Sequence, residues 1–410
     1  MEYSLFFLIG GFVLGFAMAW NLGANDVANS MASAVGARAI TIKQAMFIAG
    51  ILTFVGAVFI GGHVTETVRK GIISFDAFSA HPEFIVIGSF SALFAASVWV
   101  FVATWAEMPV SSTHSIVGAL MGVGIIAGGF GTVHWAKVGQ IVSSWIISPF
   151  FSGILGFIFF IIIRKTILEK DDYVGMTKKV GPFLVAFAVF IIAMSFLLKT
   201  PLGKKLALGT WGCFGVATTI CVLSGILGKI LISKWVETIK NDIVEMVFRK
   251  LQVFTSCCVA LSQGANDVAN AVGPVAVIYF VIKTGGVGEK VPVSPMLLAF
   301  GGLGIALGII TFGHKVIETV GFKITHLTNT RGFSIDLSAA ATILIASKLG
   351  LPVSTTHAAV GAVIGIGLAK GFEAVDIKII FKIILYWLIT LPMVALTSML
   401  IFKILTAIFV

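Results

Sequence analysis

The sequence predicts an all-α polytopic membrane protein built of two inverted-topology repeats, with discontinuous or re-entrant helices and about 12 membrane segments. Three observations predict it. Of 410 residues, 58% are hydrophobic and only 11% charged, whereas a soluble domain carries roughly a quarter charged. The seven residues Gly-Ala-Asn-Asp-Val-Ala-Asn at Gly23–Asn29 return unchanged at Gly264–Asn270. Pro109-Val110-Ser111-Ser112-Thr113-His114 returns as Pro352-Val353-Ser354-Thr355-Thr356-His357. Asp26 and Asp267 are 241 positions apart and His114 and His357 are 243 apart, so both motifs were duplicated in one register.

Composition sets further bounds. The 45 glycines suit close helix approach and broken helices in a membrane. The net charge of +10 lies mainly in short loops, where it sets orientation. No basic block with interleaved aromatics occurs, which argues against nucleic acid as a partner. Cys213, Cys221, Cys257 and Cys258 sit in apolar stretches without a ligand spacing and read as small buried hydrophobes. The N-terminus has no positive region before its apolar run, so it reads as a first membrane segment.

The elements follow in order, each from an apolar run of about 20 residues bounded by charge or turn signals. Ser4–Trp20 leads into the first Asn/Asp motif, where poor helix formers predict a break. Gln44–Gly61 spans and is followed by Arg69-Lys70; Phe84–Trp105 spans and stops at Glu107-Met108-Pro109. Val110–Gly129 restarts as a short, Ser/Thr-capped, re-entrant helix, and Trp135–Ile163 spans with tilt. Arg164–Lys179 is a mixed-charge loop; Pro182–Leu198 and Leu206–Gly228 span, joined by the turn Lys199–Lys205. Lys229–Lys250 carries charges at helical spacing and reads as an interfacial amphipathic helix. Leu251–Ser262 then leads into the second Asn/Asp motif, with a further helix to Lys283. Pro295–Phe312 spans, His314–Arg331 is a loop, Ser334–Leu349 leads to Pro352, and Val353–Leu368 is the second short capped helix. Ile377–Val410 forms one tilted helix or two short ones.

This divides the chain into a first repeat (1–163), linking membrane helices with basic loops (164–250) and a second repeat (251–410). Two spans separate the basic loops 164–179 and 229–250, so both fall on the cytoplasmic side. The second repeat starts from that side, and the first, whose N-terminus lacks Lys and Arg, from the outside. The Lys199–Lys205 turn is the one violation of this scheme.

Each motif copy has its chemistry. A Pro-led, Ser/Thr-rich helix start exposes free N–H groups at the positive end of the dipole, a ready anion site. Ser112, Thr113, Thr355 and Thr356 add hydroxyl donors. Asp26 and Asp267, with the amide oxygens of Asn25, Asn29, Asn266 and Asn270, supply hard oxygen ligands for a small cation. A cation there would neutralise both the aspartate and a bound anion, which makes each ion's binding depend on the other.

Bland roles compete. A lone capped helix start is usually only a cap, and one Asn–Asp pair is usually an interhelical clamp; duplication of both in register favours function. His114 and His357 stay open between a structural role and contact with substrate or proton. His63 with Glu66, and His314 with Glu318, read as loop charges near span ends. Ser111, His114 and Asp26 are the letters of a hydrolytic triad, but no Gly-x-Ser-x-Gly elbow exists and duplication would give two half-sites. The chain therefore reads as a non-enzyme. A passive anion channel has little use for two buried aspartates.

Gly23–Ser30 with Gly264–Ala271, and Pro109–Ser115 with Pro352–Ala358, resemble the paired signatures of the inorganic phosphate transporter family, the sodium- or proton-coupled phosphate symporters. Gly61–Ile72 and Gly332–Leu337 add to the resemblance. It implies phosphate symport by alternating access; the acid and amide oxygens paired at each site favour Na⁺ as the coupling and transported ion, and no organic cofactor is expected. It puts Asn25, Asp26, Asn29, Asn266, Asp267 and Asn270 at the ion and substrate site, with Asp26, Asp267, Asn29 and Asn270 at sodium. Ser112, Thr113, Thr355 and Thr356, with Asn25 and Asn266, would line the phosphate, and Asp336 falls where related members carry an acidic residue important for transport. Many animal members have a glutamate where this chain has Thr53 and a long insert between the halves that is missing here. The compact centre points to a prokaryotic cell membrane, and a homodimer is expected. Proton coupling, or sulfate as cargo, remain the alternatives.

Overall fold

A computed structural model describes residues 3–61, 81–199, 209–286, 291, 293–348 and 353–410. His63, Glu66, the Arg69-Lys70 pair, the turn after Lys199 and Pro352 lie outside the described residues. The fold is all-helical there. Its main helices are α1 (Ser4–Asp26), α2 (Ala28–Gly36), α3 (Ile42–Ile60), α4 (Pro82–Trp105), α5 (Ser112–Gly128), α6 (Trp135–Ile163) and α7 (Tyr173–Lys199). They continue as α8 (Thr210–Thr238), α9 (Ile243–Thr284), α10 (Pro295–Phe312), α11 (His314–Glu318), α12 (Asn329–Lys348), α13 (Thr355–Lys370) and α14 (Ile377–Phe409). Among the described residues, nine helical segments are long and apolar enough to cross a membrane, with α1 and α2 counted together; α5 is shorter and apolar. The chain is a multi-pass membrane protein.

The helices pair across the two halves. α1 packs on α10, α3 on α9, α5 on α14 and α6 on α13. Two of these crossings require glycine. A Cβ on Gly23 would strike the backbone carbonyl of Ile305 in α10, and one on Gly264 would strike that of Thr53 in α3. Each copy of the Asn/Asp motif is thus pressed, backbone to backbone, against a helix of the other half. Apolar side chains from these helices make the main core. A second core joins α7, α8 and the start of α9 to α12 around Ile232, Phe248 and Phe333.

Several segments differ from the sequence expectation. The first Asn/Asp motif interrupts its helix only at Val27, where the Ser30 N–H bonds three residues back to the Val27 carbonyl at 3.3 Å. The second does not break at all: α9 runs unbroken for 42 residues through Gly264 and Asn270. Poor helix propensity costs about 1 kcal/mol at a glycine, and an opened backbone in an apolar interior costs several per unpaired group. The hydrogen-bonded helix therefore wins. The interfacial helix expected over Lys229–Lys250 is absent; α8 continues to Thr238 and α9 starts at Ile243, so its charges cap two long helices. The loop expected over Arg164–Lys179 shrinks to a short turn, with a wide helical turn at Arg164–Leu168 and α7 already begun at Tyr173. The loop expected over His314–Arg331 holds α11 and a wide turn at Thr319–Lys323. The final run is one helix of 33 residues.

Candidate functional site

Both short helices start in the same way. Ser111 caps α5 by accepting a hydrogen bond from the His114 N–H at 3.3 Å, and Ser354 caps α13 by accepting one from the His357 N–H at 3.2 Å. The caps are the first serines of each motif, which leaves the next two hydroxyls in each copy free for other partners.

Those hydroxyls meet the Asn/Asp motifs reciprocally. Asn29 donates from Nδ2 to Thr356 Oγ1 at 3.0 Å, and Asn270 donates to Thr113 Oγ1 at 3.2 Å. The asparagine of each half thus reaches the threonine of the other. Asp26, 1% exposed, accepts from Ser112 Oγ at 2.7 Å and from Thr356 Oγ1 and Asn29 Nδ2, each at 3.3 Å. Asn29 also approaches Thr355 Oγ1 at 3.5 Å. Asp267, 5% exposed, lies within electrostatic reach of Asp26 and beside Gln263. Two carboxylates buried in one site repel in a low dielectric, a cost that a cation beside them would relieve. Hydroxyls, carboxamides and carboxylates offer only oxygen to a cation, the chemistry of a hard ion. Among the described residues no three His, Cys, Asp or Glu side chains gather in the manner of a transition-metal centre.

Asn25 and Asn266 are not equivalent here. Asn25 is fully engaged: Nδ2 donates to Thr104 Oγ1 at 2.9 Å and to the Met108 carbonyl at 3.0 Å, while Oδ1 accepts from the Val110 N–H at 3.0 Å. It clamps the turn that aims α5 at the site. Asn266 is half-buried and lines a cavity of about 50 Å³ together with Asn29, Ser262, Gln263 and Thr355.

The two motif histidines lie behind the caps in an aromatic stack. Their rings meet edge to face at 4.8 Å; His114 lies 4.0 Å from Trp145, and His357 stacks on Trp387 at 3.7 Å. His357 Nδ1 donates to the Trp145 carbonyl at 3.2 Å, and Trp387 Nε1 donates to the Pro109 carbonyl at 2.9 Å. This geometry braces α5 and α13 against α6 and α14.

Asp336 is in a separate place. Its carboxylate accepts from Ser33 Oγ at 2.6 Å, Ser256 Oγ at 2.6 Å and Thr255 Oγ1 at 2.9 Å, joining α2, α9 and α12. Sequence reasoning missed these three hydroxyls, and it missed Gln263, which donates to the Asp26 backbone carbonyl and holds the two motif copies together. One signal was visible: where the first copy is preceded by Leu22, the second is preceded by Gln263. A polar residue that adjoins only one of two identical motif copies marks a place where the halves differ in contact.

The Phosphate transporter family profile matches residues 22–398. A protein of Thermococcus kodakarensis named "Putative phosphate permease" is 50% identical over 96% of both chains. The protein named "Inorganic phosphate transporter 2-1, chloroplastic" from Arabidopsis thaliana is 38% identical over 93% of this chain and 69% of its own length. A solved structure described as "The sodium-dependent phosphate transporter" superposes with a TM-score of 0.89 at 43% identity, covering 98% of this chain and 99% of that one. By its sequence, and by a fold shared over nearly its whole length, the chain is a member of the phosphate transporter family.

Proposed function

We propose that the protein is a Na⁺-coupled phosphate symporter of two inverted repeats, with phosphate held between the facing starts of α5 and α13 and Na⁺ at Asp26 and Asp267. The observation that carries this is the reciprocal pair Asn29 to Thr356 and Asn270 to Thr113 around two buried carboxylates. Each capped helix start contributes unpaired N–H groups and roughly half a positive charge, and the threonines beside them add neutral donors for phosphate oxygens. Asn29 and Asn270 would hold the hydroxyls and contribute amide oxygens to the cation. The similar solved structure, described as sodium-dependent, favours Na⁺ over protons as the coupling ion.

Coupling follows from charge. Phosphate brought beside two buried aspartates meets repulsion that neutral donors cannot offset, and Na⁺ held without the anion leaves the helix starts unfilled. Each ion lowers the energy of the other. The test is radiolabelled phosphate uptake into proteoliposomes, comparing an inward Na⁺ gradient with an equal K⁺ gradient, each with and without a pH gradient, and with excess sulfate as competitor. Accumulation that needs Na⁺ and ignores sulfate is expected. Accumulation driven by the pH gradient alone would overturn Na⁺ coupling, and equilibration without concentration would leave only a channel.

A further inference from the structure

Beyond the motifs, α9 carries a polar ladder along one face. Starting from the site it presents Asn266, Ser262, Cys258, the pair Ser256 and Thr255, Gln252 and finally Glu245. From Asn266 through Ser262, Cys258 and Thr255 to Gln252 the steps are three or four residues, the spacing that aligns side chains along a helix, with Ser256 beside Thr255 and Glu245 two turns beyond Gln252. The ladder descends about 21 Å from Asn266 to Gln252 and ends where Glu245 accepts hydrogen bonds from Thr330 Oγ1 at 2.6 Å and its N–H at 3.0 Å. That end of α9 carries Arg249 and Lys250, the basic mark of the cytoplasmic side.

Three features say that this face meets water. Gln252 is fully buried, and neither its Oε1 nor its Nε2 has a partner; Gln263 Oε1 has none either. Buried amides without partners are costly unless water reaches them. The cavity of about 50 Å³ lies on the ladder, with Cys258, Ser262 and Asn266 on the α9 side and Ile192 and Ser195 of α7 on another. That volume holds a few waters. The matching face of α1 has no such ladder. Where α9 has Cys258, Ser256, Thr255 and Gln252, α1 at the same register has Ala17, Gly15, Leu14 and Gly11. Gly15 and Gly11 lie in the path of Val275 and Ile278 of α9, closing that face with apolar contacts.

The geometry points to the α9 face as the cytoplasmic passage for phosphate and its coupling cation, lined by Cys258 and Ser195 and closed by the α7–α8 hairpin. This rests on the symport reading above. The hairpin suits such a role: α7 and α8 pack chiefly on each other and touch the rest mainly through α12 and α9. Moving it outward removes Ile192 from the cavity wall without disturbing the paired helices that hold the motifs. Ser195 then faces the passing anion with a hydroxyl.

The test uses the full chain with Cys213→Ser, Cys221→Ser and Cys257→Ser, so that Cys258 is the one thiol. Reconstituted protein is treated with the membrane-impermeant cationic thiosulfonate MTSET from either side and analysed by intact mass. This reagent requires a water-exposed thiolate, so labelling reports hydration. Labelling from the cytoplasmic face, slowed about tenfold by Na⁺ with phosphate at ten times its Kd, is the expected result. Ser195→Cys in a background with all four native cysteines replaced by serine should show the same sidedness and protection, which covers the case in which one variant does not fold. No labelling of either thiol in folded protein, or labelling that phosphate leaves unchanged, overturns the passage. The readout does not depend on uptake. Protected labelling without Na⁺-driven uptake would indict the coupling, and uptake without labelling would indict the route.

Discussion

At the scale of residues, the site is a balance of two carboxylates against neutral donors. Asp26 accepts three side-chain hydrogen bonds, so Asp26→Asn would present a carboxamide N–H₂ to donors that need an acceptor. It would also remove one of the two charges that the proposed symport assigns to the cation. Breaking a buried charge pairing costs about 3 kcal/mol, which corresponds to about two orders of magnitude in affinity. Asp26→Asn and Asp267→Asn are each expected to lower apparent Na⁺ affinity by about that factor and to abolish concentrative uptake, measured as the Na⁺ dependence of phosphate influx. Either variant accumulating phosphate at the wild-type rate and Na⁺ dependence would remove the carboxylates from the coupling. The sequence singled out these polar residues because polar groups in an apolar run are costly, and the structure brings Asp26, Asn29, Ser112 and Thr356 into one hydrogen-bonded cluster. The sequence did not show that Asn25 would spend its whole carboxamide on the Thr104–Val110 turn while its twin Asn266 faces a cavity. Identical letters in two repeats acquire different work once their neighbours differ.

At the scale of elements, the spans and both capped helices were legible in hydropathy and in the Pro-Val-Ser signature, since length, apolarity and capping are local properties. The continuity of α9 was not, because it is decided by what the helix touches. Gly264 weakens a helix in isolation, yet here it lets the backbones of α9 and α3 meet. Gly23→Ala and Gly264→Ala must therefore push a pair of touching backbones apart and are each expected to destabilise by about 1–3 kcal/mol. Gly273→Ala, in the same helix with open space around the new methyl, should be neutral or stabilise by up to about 1 kcal/mol. Thermal unfolding midpoints in detergent distinguish the two classes. If all three substitutions shift the midpoint alike, the motif glycines are not contact glycines, and the tight crossings lose their role in placing Asp26 and Asp267.

At the scale of the whole molecule, the two halves are interleaved rather than set side by side. Of the five most extensive pairings, four, α1 with α10, α3 with α9, α5 with α14 and α6 with α13, take one helix from each side of the α8–α9 connection, and only α7 with α8 lies within one side. The site repeats this pattern at the level of hydrogen bonds, with each asparagine bound to the other half's threonine. A half on its own would leave the faces of these cross-pairings bare and would lack the hydroxyl partners of its own asparagine. The connection itself, Ile239–Asp242, is short and lies at the surface between two long helices. A chain divided there, expressed as fragments 1–240 and 241–410 with a start methionine added to the second, should behave accordingly. Together the fragments are expected to purify as a one-to-one complex and to take up phosphate, because every pairing survives the cut. Separately each should fail to accumulate in the membrane as a folded species. Fragment 1–240 eluting alone as a monodisperse protein with a cooperative thermal transition would show a self-contained first half, and the reciprocal contacts would then be a late docking rather than the basis of the fold.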